Sequence, residues 1–309
     1  MLANFLNKSK PINFIVLLSL FFLGFCRVSF STVLAGSFSL DKLLNSCLYL
    51  GILLSLFFFY NFIVSKNNLT YDNSYAFFFF TILLSCILPE ILSSNVLILI
   101  LLHFLLLRKI YSFHSSRKII QKLFDSGFWL GVSFIIDPYF LIFGVLIFSA
   151  IFLYQKITIT TLLTPVIGFI TPVILYFSYC FWYDNTEDFI ALFTFKIDFT
   201  EEFLIKSKYT WLLLIIFTLT FMSVLIKTPK ALSVNNIFKK SWLLLIFHLL
   251  ITTVFFIILG SNNEDKIAFL IFPVSVILAN GLELIKNNLF KNSVIYMLLL
   301  SFILCTFFL

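Results

Sequence analysis

The feature that most constrains this chain is the stretch Ile119–Tyr154, IIQKLFDSGFWLGVSFIIDPYFLIFGVLIFSAIFLY: 36 residues, almost wholly apolar, with Asp137-Pro138 at the middle. As one helix rising ~1.5 Å per residue it would reach ~54 Å. The hydrocarbon core of a bilayer is only ~30 Å thick. The stretch is therefore either one long span with an amphipathic lead-in or two spans joined by a turn. Proline disfavours helical geometry in the residue before it. A carboxylate at mid-bilayer costs about 2.5–3.5 kcal/mol even on insertion scales. Both facts favour a turn at the water surface, and that choice sets the parity of every later segment.

A membrane setting follows from composition. Hydrophobic residues make up 61% of the chain and charged residues 11%, against roughly 25% charged in soluble domains. Backbone polar groups in lipid must be satisfied internally, which leaves helices or a closed barrel. The apolar runs are continuous rather than alternating, so they read as helices. The 44 phenylalanines read as compositional bias, without a functional message. Cys26, Cys47, Cys86, Cys180 and Cys305 lie in or near apolar runs with no CxxC pair, and His103, His114 and His248 share no ligand spacing. Neither set reads as a disulfide framework or zinc site. No phosphate-binding loop, dinucleotide fingerprint or basic nucleic-acid patch is visible.

The expected fold is all-α: a polytopic transmembrane helix bundle of about eleven spans (range ~10–12) forming a single membrane domain over residues 1–309. The spans are expected near residues 12–26, 44–64, 76–92, 95–107, 119–136, 138–154, 160–182, 211–226, 242–260, 267–284 and 294–309. The first run is expected to be a retained span; cleavage after Val33 and Ala35 is the alternative. Residues 183–208 mix acids, lysines and phenylalanines and read as an outer loop with short amphipathic helices. The segment KTPKALSVNNIFKK reads as a basic loop. Pro165, Pro172 and Pro273 read as local kinks, the alternative being broken helices around a transport site. Gly127 and Gly131 form a small-xxx-small pair suited to close helix packing.

With the amino terminus inside, the eleven spans place 15 of the 21 basic residues but only 3 of the 14 acids in inside loops. That agrees with the positive-inside rule and fits a bacterial inner (cytoplasmic) membrane protein. A single crossing at 119–154 would flip every later loop and send Lys227 to Lys240 outward. The same parity gathers Asp41, Glu90, Asp137 and the 183–208 loop on the outer face.

Three stretches carry a resemblance. They are FIVSKNNLTYDNSYAFFFFTILLSCILPE, the basic connector after the fourth span, and GFWLGVSFIIDPYFLIFGVLIF. Together they resemble the integral-membrane glycosyltransferase C superfamily over residues 12–182, leaving 209–309 as C-terminal helices. The chain as a whole also resembles a bacterial family of multi-pass membrane proteins without an assigned function. The superfamily resemblance implies a glycosyltransferase that takes a sugar from a polyprenyl-phosphate carrier at the outer face. It makes Asp41 the first-loop acid and Glu90 the second, with Asp137 lining the same site. Arg27 or Lys42 becomes the phosphate contact. Such chemistry needs a carboxylate to deprotonate the acceptor and a cation beside the leaving phosphate.

Asp41, however, stands alone before Lys42, with no DxD or ExD in its loop. That leaves a non-catalytic membrane subunit or scaffold of an envelope or secretion complex as the main alternative, with a transporter below it. Expected partners are membrane lipids, a polyprenyl-phosphate sugar and envelope proteins, and no nucleic acid. The residues specify no cofactor and propose no metal ligand.

Overall fold

A computed structural model describes residues 2–33, 39–115, 117–155, 157–195, 208–234, 236–259 and 264–308. All regular structure among them is helical. The central stretch shows why. Helix α7 (Ile119–Ile136) ends where Asp137 turns extended, at φ −140° and ψ 104°, the geometry that a following proline favours. The Asp137 carboxylate accepts the Tyr139 N–H at 3.1 Å. Pro138 then opens a 3-10 segment, Pro138–Phe143, which runs into α8 (Gly144–Tyr154).

The stretch travels from one end of the bundle to the other and back. Near its start, Lys122 Nζ donates to the Ser112 and Ser115 carbonyls at 2.7 and 2.8 Å. At its middle, Asp137 meets Lys266. Just past its end, Gln155 Nε2 returns to the Phe113 carbonyl at 2.7 Å.

Before it come α1 (Leu2–Leu6), α2 (Pro11–Val28), α3 (Leu40–Lys66), α4 (Tyr75–Cys86), α5 (Leu88–Ile91) and α6 (Ser94–Tyr111). After it come α9 (Ile159–Trp182), α10 (Thr186–Ala191), α11 (Thr210–Ser233), α12 (Asn236–Leu259), α13 (Ala268–Leu284) and α14 (Asn288–Phe308). Among the described residues, nine helices are long and apolar enough to cross a bilayer, and Tyr75–Cys86 and Pro138–Tyr154 are shorter apolar segments. The architecture is that of a polytopic helical membrane bundle.

Two helices form its axis. Every residue of α4, and every residue of α13 from Ala268 to Leu282, is buried. A helix apolar and buried all round belongs to the interior of a bundle, and this accounts for the Phe77–Phe80 run. The surrounding helices bury one face and leave large apolar side chains such as Ile159 and Trp182 exposed, as lipid-facing positions require. Lipid tails are as apolar as leucine, so helices in a bilayer associate through close packing and hydrogen bonds. The Tyr60 hydroxyl supplies one such tie: it donates to the Ala76 carbonyl at 3.0 Å and lies 2.8 Å from Ser275 Oγ, joining α3, α4 and α13.

Close packing is tightest between α7 and α9. A Cβ added at Gly127 would fall 1.9 Å from the Pro165 carbonyl oxygen, and one at Gly131 would fall 2.5 Å from that of Phe169. Pro165 and Pro172 sit inside an unbroken α9, and both face these glycines. Their side chains form a packing surface within a continuous helix.

Several boundaries differ from the sequence expectation. The third span breaks at Ile87 into α4 and the one-turn α5. The fourth is longer than expected and runs to Tyr111. The segment expected as a basic loop is mostly helix: α11 continues through Pro229 to Ser233 and α12 begins at Asn236. The cause is Lys227, whose charge suggests solvent but which is buried in an ion pair with Glu283. Of the 183–208 loop, α10 is helical as expected; residues 196–207 lie outside the described residues, as do 34–38, which include most of the small-residue cleavage segment.

Candidate functional site

The loops at one end of the bundle carry an ionic cluster. A short 3-10 turn, Glu264–Ile267, leads into α13 and presents Glu264, Asp265 and Lys266 in sequence. Lys266 is 8% exposed. Its ammonium donates to Asp137 Oδ2 at 2.8 Å and stands 3.6 Å from Asp265 Oδ2. The Asp137 carboxylate thus has two tasks: one oxygen caps the turn after α7 and the other meets Lys266.

Glu90 sits on α5, beyond the break at Ile87 that ends α4. Its Oε1 lies 2.5 Å from Lys208 Nζ and accepts the Tyr209 hydroxyl at 3.3 Å. Lys208 also reaches Glu264 Oε2 at 4.0 Å. Burial, and then the neighbouring Glu90 carboxylate, push the Tyr209 phenol above its ordinary range. The phenol therefore stays protonated and serves Glu90 as a donor. The turn Glu264–Ile267 links the two carboxylates, touching the Glu90 arm through Glu264 and Lys208 and the Asp137 arm through Lys266.

An apolar groove of about 270 Å³ adjoins the Asp137 arm, walled by Tyr139, Leu141, Ile142, Phe195, Phe255 and Ile258. The Lys266 ammonium lies 6.0 Å from the Phe255 ring centre. A charged pair and an apolar furrow therefore share one wall, an arrangement suited to an amphiphile.

The sequence-derived site is partly assembled. Glu90 and Asp137 come together through the turn, but their cationic partners are Lys208 and Lys266, not Arg27 or Lys42. Asp41 is exposed on the first turn of α3, Arg27 is exposed near the end of α2, and the Lys42 backbone N–H caps onto Ser39 Oγ at 3.3 Å. All three lie at the same end of the bundle. Sequence reading missed Lys208, Tyr209 and Lys266. The available signal was parity, which puts the turn SNNEDK on the face that holds Asp137.

Deeper in the bundle, His103 and His248 are buried with ring centres 5.5 Å apart. His248 Nδ1 lies 3.1 Å from the Tyr111 hydroxyl, whereas both ring nitrogens of His103 lack a hydrogen-bond partner among the described residues. No group of three His, Cys, Asp or Glu side chains converges on a metal position among those residues.

Fold and site together define a multi-pass helical membrane protein with paired carboxylates and lysines at one end. Residues 1–308 match the family described as "Family of unknown function (DUF6427)", and the chain belongs to that family. No curated protein matches the chain, and no solved structure does.

Proposed function

We propose that this protein handles a polyprenyl-phosphate-linked sugar at the Glu90–Asp137 end of the bundle, in the manner of a glycosyltransferase-C-like enzyme of cell-envelope assembly. The proposal places it in a bacterial inner membrane, with the amino terminus cytoplasmic and the Glu90–Asp137 end outside. The observation that carries it is the Asp137–Lys266 pair standing beside an apolar groove. An isoprenoid chain suits the groove, and its phosphate suits the lysine. When Lys266 turns to the phosphate, Asp137 loses its cation and becomes available as a base. It takes the proton from the acceptor hydroxyl as that oxygen bonds to the sugar. The sugar–phosphate bond breaks, and its electron pair leaves with the carrier phosphate. Lys266 then balances the charge that develops there.

A second reading is a non-catalytic membrane subunit for an envelope or secretion complex. What favours it is that both carboxylates are already paired with lysines and Asp137 also holds a turn.

Mass spectrometry of lipids retained by gently purified protein separates the two. A polyprenyl-phosphate sugar on the wild type, lost from a folded Lys266→Gln variant, supports carrier handling. Ordinary phospholipids alone, on protein that elutes as a single folded species, would refute it and leave the subunit reading.

A further inference from the structure

The opposite end of the bundle holds a second site. Helix α6 separates the two ends: Glu90 precedes its first residue, Ser94, by four positions, and Arg108 and Lys109 lie in its last turn. Eighteen residues at ~1.5 Å each put the ends ~27 Å apart.

A cavity of about 520 Å³ opens there, where α3 and α6 end, the 3-10 turn Ser112–His114 follows and α7 begins. Lys66, Arg108, Lys109, Arg117, Lys118 and Lys122 line it against one carboxylate, Asp125. Two of these cations are committed. Lys109 holds Asp125 at 2.6 Å. Lys122 spends its ammonium on the Ser112 carbonyl, the Ser115 carbonyl and Ser115 Oγ at 2.7, 2.8 and 3.1 Å. Lys66, Arg108, Arg117 and Lys118 have no carboxylate within ion-pair distance among the described residues. Lys66 and Arg108 instead share the Phe62 ring, at 4.8 and 5.2 Å from its centre. The cup therefore carries a surplus of positive charge.

A hollow of about 350 Å³ continues from this cup, sharing Arg108, Lys109 and Asp125 with it. Its other walls are Leu105, Phe124, Phe128 and Trp129. Leu105 and Trp129 each lie about one helical turn further from this end, so the slot runs ~5 Å deeper between α6 and α7.

We propose that cup and slot bind one anionic phospholipid, its phosphate among the free cations and an acyl chain against Trp129. Basic pockets between transmembrane helices suit anionic head groups. A zwitterionic lipid brings its own cation into a cup already rich in positive charge. Free phosphate fills the cup but leaves the apolar slot without a partner.

Trp129 makes the site measurable. The full-length protein is reconstituted with lipids carrying brominated acyl chains, which quench tryptophan on contact. Subtracting a Trp129→Phe variant isolates the Trp129 signal. Brominated phosphatidylglycerol should quench it at a mole fraction at least about tenfold below that needed for brominated phosphatidylcholine. Each basic residue near an anionic surface contributes about fivefold in affinity. Arg117→Gln with Lys118→Gln should therefore weaken phosphatidylglycerol binding by roughly twenty-five-fold, enough to erase a tenfold preference. Lys66→Gln with Arg108→Gln provides an independent pair if the first does not fold. Equal quenching by the two lipids, or an intact preference in a folded double variant, would overturn the site. Inorganic phosphate that abolishes the preference, where chloride at matched ionic strength does not, would assign the cup to free phosphate and overturn the lipid.

Discussion

The buried pair Lys227–Glu283 offers the sharpest test of the packing at the basic end. Lys227 Nζ lies 3.3 Å from Glu283 Oε2, and the two side chains are 2% and 4% exposed. Glu283 Oε1 also accepts the Tyr71 backbone N–H at 2.9 Å and Asn73 Nδ2 at 2.7 Å. Lys227 otherwise meets two ring faces, Tyr71 at 4.8 Å and Phe238 at 5.1 Å. The pair thus ties the loop after α3 to α11 and α13. Removing one partner from a buried pair leaves an uncompensated charge and costs about 3–5 kcal/mol. The two ends are not equivalent: without Lys227 the carboxylate keeps two N–H donors, whereas without Glu283 the ammonium keeps only rings.

Glu283→Gln should therefore cost about 3–5 kcal/mol, Lys227→Met should cost less, and the double variant should cost less than Glu283→Gln alone. At about 2 °C per kcal/mol for a chain of this size, the Glu283→Gln loss is a fall in Tm of at least about 6 °C. Thermal unfolding in detergent, followed by tryptophan fluorescence, reads it, and Trp242 is the reporter nearest the pair, its Nε1 donating to Thr228 Oγ1 at 3.2 Å, one residue from Lys227. A Glu283→Gln protein melting within 2 °C of wild type, or a double variant that loses the sum of the singles, would refute the buried pair.

Two further outcomes follow from the interior. Gly127→Leu drives a side chain into the Pro165 carbonyl and should force α7 from α9, costing at least about 1–3 kcal/mol; an unchanged Tm would refute that contact. His103→Leu removes ring nitrogens that have no partner among the described residues, relieving a desolvation cost of about 1–3 kcal/mol. Its Tm should rise, and a fall would show that the imidazole is satisfied in the native state.

Run length alone made the spans legible, because twenty apolar residues have few other uses, and Asp137-Pro138 made the reversal legible, because both residues resist mid-helix positions in lipid. Gly127 and Gly131 announced the α7–α9 contact by their spacing. What stayed hidden was partnership. Lys227 reads as a loop residue until Glu283, far along the chain, is placed beside it. In the same way Asp137 reads as a lone acid until the turn at Glu264–Ile267 delivers Lys266. Glu90 was in view as a candidate, but its partner Lys208 lies beyond five more helices, α6 to α10. The basic linker after α6 showed its charge in the sequence but not its cavity, which depends on how far α6 and α7 stand apart.

The two ends of the bundle treat charge in opposite ways, and this bears on mechanism. At the Glu90–Asp137 end four carboxylates, Glu90, Asp137, Glu264 and Asp265, share two lysines, Lys208 and Lys266, so carboxylates are in excess within this cluster. In the resting site the Lys266 ammonium occupies Asp137 Oδ2 at 2.8 Å. On the carrier-handling proposal that oxygen is freed only when the lysine is drawn away, and an incoming phosphate attracts the same ammonium. Arrival of the carrier and release of Asp137 would then be one event, in which Lys266 exchanges one anion for another. In a structural subunit the pair has no competing anion and stays closed. The exchange of Lys266 between carboxylate and phosphate is therefore the physical step that separates the two readings, and retention of a phosphate-bearing lipid by wild type but not by Lys266→Gln probes it directly.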